Sequence, residues 1–112
     1  MASILQILGA PGSGKSLVAE SLAKVLKAEL YPEPLGQNEY LPKLSKGDSV
    51  HFAYQARSLH LAIYQETKAL TSSAKLAIVD GGVFQVLGVS AALCKMGKIT
   101  EDEFEALGHI AK

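Results

Sequence analysis

The sequence holds a single cysteine, Cys94, which excludes an internal disulfide and any zinc site built from cysteines alone. Cys94 lies in an apolar stretch, Ala91-Ala92-Leu93-Cys94, where a free cysteine packs as a small hydrophobe. No sign of charge dominates, because eleven basic residues balance eleven acidic ones. Neither a basic block nor an aromatic-interleaved stripe occurs, so no nucleic-acid surface is indicated and a small-molecule partner is expected. Long apolar runs are also lacking, and no segment approaches the length of a membrane span. The apolar start, Ile4 to Leu8, has no positive region before it and runs straight into glycine, unlike a signal peptide. The expected compartment is the cytoplasm, with no membrane partner. A length of 112 residues, 48% of them hydrophobic and 20% charged, fits one globular domain.

Within that length the pattern alternates. Ser3 to Leu8 is short, apolar and bounded by glycine, and predicts a buried strand. Val18, Leu22, Val25 and Leu26 recur at helical spacing, predicting a helix over 16–28. Pro32 and Pro34 then force an extended stretch. A short helix is expected over 38–46, closed by Gly47. Asp48 or Ser49 suits the N-cap of a long helix running to about Ser72, with Phe52, Ala56, Leu59, Ile63 and Leu70 on its apolar face. Leu76 to Asp80 predicts a second buried strand, and Val83 to Met96 a helix that Gly97 stops. Thr100 and Glu103 form a capping box that starts a last helix through Ile110. Strands alternating with helices imply an α/β fold whose small parallel sheet, of two or three strands, is flanked by helices.

Gly9-Ala10-Pro11-Gly12-Ser13-Gly14-Lys15-Ser16 matches the phosphate-loop (Walker A) pattern at every fixed position, between a strand and an amphipathic helix. Its glycines let successive backbone N–H groups point at phosphates, and the helix beginning at Lys15 adds its positive dipole end. Lys15 is expected on the terminal phosphates of ATP and the Ser16 hydroxyl on Mg²⁺. The bare alternative is a glycine-rich turn without a ligand. Asp80 ends the second apolar strand, so in a parallel sheet it emerges at the same carboxyl edge and is a second candidate for Mg²⁺. An aspartate merely opening a turn before two glycines is the other reading. The expected fold is that of the P-loop NTPases. These residues imply use of a nucleoside triphosphate and leave the phosphate acceptor open.

Three further stretches carry a resemblance. They are Tyr31-Pro32-Glu33-Pro34-Leu35 with Asn38 and Leu41-Pro42; Phe52-Ala53-Tyr54-Gln55; and Ile78-Val79-Asp80-Gly81-Gly82-Val83-Phe84. Together with the tail Met96 to Phe104 they follow in the order found in the deoxynucleoside kinases, and the chain resembles that family over nearly its whole length. The resemblance implies Glu33 as the general base that takes the proton from a nucleoside 5′-hydroxyl as it attacks the γ-phosphorus. It implies that Gln55 pairs with the nucleobase edge, that Phe52, Tyr54 and Phe84 line the base pocket, and that Tyr40 touches the sugar. Read without it, Glu33 is a solvated loop residue, Gln55 a solvated glutamine one position off the apolar face, and Phe52 a core residue. Arg57, His51 and His60 read as a solvated helix face.

The chain departs from the family pattern at Gly81, where the family carries an arginine that helps neutralise the phosphates. The resemblance also implies further helices, an arginine-bearing lid and more strands beyond Lys112. The expectation is thus a domain truncated relative to the family, whose open sheet edge and apolar face favour a homo-oligomer. Two other functions stay open: a nucleotide-binding domain without catalysis, and another small-molecule kinase such as one for nucleoside monophosphates. Against the latter stands Arg57, the only arginine available to clamp an acceptor phosphate.

Overall fold

Alternating and continuous apolar runs too short for helices become strands only where neighbours take up their backbone groups, and three segments do so. The computed structural model describes residues 3–9, 14–47 and 49–111. Ala10, Pro11, Gly12 and Ser13 of the expected phosphate loop, and Asp48, one of the two expected N-caps, lie outside the described residues. The elements are β1 (Ser3–Ile7), α1 (Lys15–Leu26), β2 (Glu29–Tyr31), a 3₁₀ turn (Leu35–Gln37), α2 (Leu41–Ser45), α3 (His51–Leu70), β3 (Leu76–Asp80), α4 (Val83–Lys95) and α5 (Glu101–Ala111).

The sheet is parallel with the order β1-β3-β2, so the last strand in sequence is the middle one in space. Register sets Ile7 opposite Asp80 and Tyr31 opposite Val79. Strand alternation then separates two faces. On one, Ala19 and Ala23 of α1 close over Ile78, with Ile7, Leu22 and Leu30 around them. On the other, Ala69 of α3 covers Ala77 and Val79, flanked by Ile4 and Tyr31. β3 is buried on both faces, which explains its uninterrupted apolar run. A second core lies away from the sheet, where Leu59, Ile99 and Leu107 join α3, α4 and α5. Burying Leu59 or Leu107 completely contributes roughly 2 kcal/mol each.

Several boundaries differ from expectation for local reasons. α1 stops at Leu26 because Lys27 turns left-handed (φ 53°), two residues before the extended stretch rather than at the prolines. That stretch is a strand, because Glu29 to Tyr31 find β3 as a partner. α2 is shorter than 38–46, and Asn38 instead accepts the Tyr40 N–H through Oδ1 at 3.0 Å. α3 begins after Val50 with no side-chain cap. The capping box forms as read: the Thr100 N–H donates to Glu103 Oε1 (2.8 Å) and the Glu103 N–H to Thr100 Oγ1 (3.1 Å). α1 exposes Val18, Val25 and Leu26, and Leu5 of the edge strand β1 is also exposed. No described helix is long and apolar enough to cross a membrane.

Candidate functional site

Parallel strands bring their carboxyl ends to one edge, and here that edge gathers chemistry from three segments. The Gly81 N–H donates to the Ile7 carbonyl (2.9 Å), which seats the end of β3 against the exit of β1. α1 begins after Gly14, whose φ of 85° is natural for glycine and turns the chain into the helix. Lys15 Nζ donates to Asp80 Oδ1 at 2.8 Å and also to Glu33 Oε2, while Ser16 Oγ donates to Asp80 Oδ2 at 2.7 Å. Glu33 arrives from the proline segment after β2, which Gln65 Nε2 of α3 ties down through the Pro32 carbonyl (2.9 Å). The Lys15 side chain is 8% exposed, Asp80 4% and Glu33 24%, so the glutamate is the one that faces open space. Burial works against the Lys15 ammonium, but the hydrogen bonds and negative charges of Asp80 and Glu33 outweigh it and hold its pKa above the ordinary lysine value.

A cavity of about 560 Å³ opens from this cluster. Lys15, Ser16 and Glu33 form its polar end. Tyr54, Gln55, Ser58 and Leu61 of α3 face Val86, Val89 and Leu93 of α4 along its length. Such a size and mixture suits a small organic ligand with a few fixed polar contacts.

No protein-family model and no curated protein sequence matches the chain.

Of the expected substrate residues, the structure brings Gln55 and Tyr54 to the cavity and sets the others elsewhere. Gln55 is 3% exposed, not solvated, and Ser90 Oγ lies 2.8 Å from its Oε1. The buried residues of α3 are Gln55, Leu59, Leu61, Ala62 and Ala69; of the expected stripe, Leu59 is buried, Phe52, Ala56 and Ile63 pack against the core around it, and only Leu70 is exposed. The helix has partners on two sides, the sheet and α4, and a single apolar period misses that. Burial raises the Tyr54 phenol pKa; the Ser58 hydroxyl opposes the shift and the nearby Glu33 charge adds to it. Phe52 packs on the Leu59–Ile99–Leu107 core. Phe84 is 68% exposed and borders a separate, shallower depression with Val83 and Leu87. Tyr40 sits at the start of α2 with the Lys43 ammonium 6.0 Å from its ring. None of these three is among the residues lining the large cavity. His51 does line it, contrary to its reading as part of a solvated face. Arg57 is held by Glu39 (Nε–Oε1 2.8 Å) and is likewise not among the lining residues.

Gly81 takes a φ of 89°, and a Cβ built there would lie 3.4 Å from Glu33 Cδ. This backbone favours glycine, and Glu33 lies in van der Waals contact with the place a side chain would begin. Gly82 is more constrained. Its φ is 100° and a Cβ would meet Glu66 Oε1 at 2.8 Å, an oxygen that already accepts from Gln6 Nε2. Gly82→Ala is expected to destabilise the fold by about 2–3 kcal/mol through backbone strain and displacement of Glu66. Urea denaturation would read this as a lower midpoint at unchanged slope; an unshifted midpoint would show that the loop relaxes freely.

Gln85 escaped the sequence reading. On the first turn of α4 it donates from Nε2 to the Gly9 carbonyl (2.7 Å) and accepts the Gly9 N–H at Oε1 (3.1 Å). Its only signal was a position one helical turn beyond the paired glycines.

The arrangement also suits a cation. Ser16 Oγ and Asp80 are hard oxygen donors beside the start of α1. Among the described residues no three His, Cys, Asp or Glu side chains converge. A Mg²⁺ here would thus draw its remaining ligands from phosphate oxygens and water, the usual way this ion is held.

Proposed function

We propose that the protein is a P-loop kinase that transfers the γ-phosphoryl group of ATP to the 5′-hydroxyl of a nucleoside. One observation carries this reading: the phosphate-loop lysine, Lys15, contacts both Asp80 and Glu33 at the polar end of a cavity large enough for a nucleoside. A phosphate-binding lysine, a carboxylate for a cation and a second, more exposed carboxylate facing an acceptor cavity are the parts that phosphoryl transfer to an alcohol needs.

In this reading Lys15 exchanges its carboxylate partners for the β- and γ-phosphates as ATP binds. Ser16 and Asp80 would hold Mg²⁺, which would supply positive charge against that developing on the phosphates. Losing the Lys15 contact frees Glu33 to accept the 5′-hydroxyl proton while that oxygen attacks the γ-phosphorus and the bond to the β-bridging oxygen breaks. ADP leaves with the electron pair of that bond. Gln55 offers its amide to the base edge, and the apolar α4 wall excludes water from the bound sugar and base.

A binding-only protein is the second reading, favoured by Gly81, which puts no cation where the family has one. Incubation with Mg·ATP and a panel of ribo- and deoxynucleosides separates the two. Nucleoside monophosphate, resolved by chromatography, is the expected product. Mg·ATP binding without product from any nucleoside would leave only the binding function.

A further inference from the structure

The two hydrogen bonds between Gln85 and Gly9 are the one direct side-chain tie between α4 and the start of the phosphate loop among the described residues. Their direction admits no ambiguity. A backbone N–H only donates and a backbone carbonyl only accepts, so the Gln85 amide can satisfy both in a single orientation. Both partners are half-buried. The Gln85 stem also passes within 3.6 Å of the position a Cβ would take on Gly81, beside Glu33. A residue of α4 thus reaches the exits of both β1 and β3.

Glycine at the start of the loop lets the backbone turn, and the same freedom leaves the turn unspecified in the absence of a partner. A two-point grip on its N–H and C=O restricts that freedom at little cost, since the amide is itself braced on a helix. Preorganised donors bind anions more tightly than donors that must be ordered on binding.

We propose that Gln85 is a positioning residue for the triphosphate site: it fixes the N–H and carbonyl of Gly9 at the exit of β1, so that less has to be ordered when ATP binds at Lys15 and Ser16. The inference rests on the reading of Gly9–Ser16 as a phosphate site. Because Val86, Val89 and Leu93 of the same helix wall the acceptor cavity, α4 then links the two halves of the site.

The test is calorimetric titration of the wild type, Gln85→Ala and Gln85→Met with Mg·ATP, far below their melting temperatures. The methionine variant fills the same volume without hydrogen bonding, and so covers the case in which alanine fails to fold. Both variants are expected to bind about tenfold more weakly, in line with the loss of two ordinary hydrogen bonds. A purely structural role would lower the melting temperature and leave affinity in the folded protein unchanged. Equal affinity in wild type and in a folded variant would overturn this inference alone. Failure of the wild type to bind Mg·ATP would overturn the phosphate-site reading and this inference with it.

Discussion

Lys15→Ala is expected to abolish measurable binding of Mg·ATP, with an affinity loss of roughly 100-fold or more, and to weaken the ligand-free protein as well. The first effect follows from the charge-assisted contacts that the ammonium makes with phosphate. The second follows from the contacts Lys15 makes with Asp80 and Glu33. Asp80 is 4% exposed, and without the ammonium its carboxylate keeps, among the described residues, only the Ser16 hydroxyl as a hydrogen-bond partner. Leaving one member of a buried pair uncompensated costs about 3 kcal/mol. Adding Asp80→Asn to Lys15→Met removes the stranded charge, so the double variant should regain stability in urea. Asp80→Asn alone keeps Lys15 and should bind Mg·ATP more tightly than the double variant, and that difference separates a lysine that binds phosphate from one that only neutralises carboxylates. Titration supplies a further mark. The Lys15 pKa is raised in the folded state, so its contribution is complete below the unfolded lysine value and fades as pH climbs through the folded one. Wild type should lose that stability on the alkaline side, and Lys15→Met should not. Tight Mg·ATP binding by Lys15→Ala would contradict the whole assignment.

Glu33→Gln should lower kcat by about 10²- to 10⁴-fold, the usual span for removing a general base. Affinity for Mg·ATP should stay the same or tighten, because the change removes a negative charge from beside the phosphates. Stability should change little. Glu33 is 24% exposed, and Lys15 keeps its bond to Asp80. The measurement is a single-turnover rate with saturating Mg·ATP and the nucleoside that the panel identifies. A variant with undiminished turnover would remove Glu33 from the chemistry, leaving it as a hydrogen-bond partner of Lys15. Loss of ATP affinity in step with kcat would point instead to a collapsed loop.

The sequence by itself determined what depends on chain neighbours. The phosphate-loop pattern, the strand and helix on either side of it, the Thr100–Glu103 capping box and the buried Leu76–Asp80 run were all legible, because turns, caps and hydrophobic periods act within a few residues. The convergence of Lys15, Ser16 and Asp80 was legible one step further, since parallel strands must deliver their ends to one edge. The tertiary structure decided which side chains face the cavity. It turned Gln55 inward against Ser90, set Phe52 in the α3–α5 core and left Phe84 in solvent, because α3 and α4 each have neighbours on more than one side. It also made a strand of Glu29–Tyr31, a segment too short to declare itself without β3 beside it. The Gln85 grip on Gly9 joins residues 76 positions apart, and no local propensity encodes such a contact. It exists because the sheet order β1-β3-β2 brings the end of β1 under the first turn of α4, and only packing of the whole chain sets that distance.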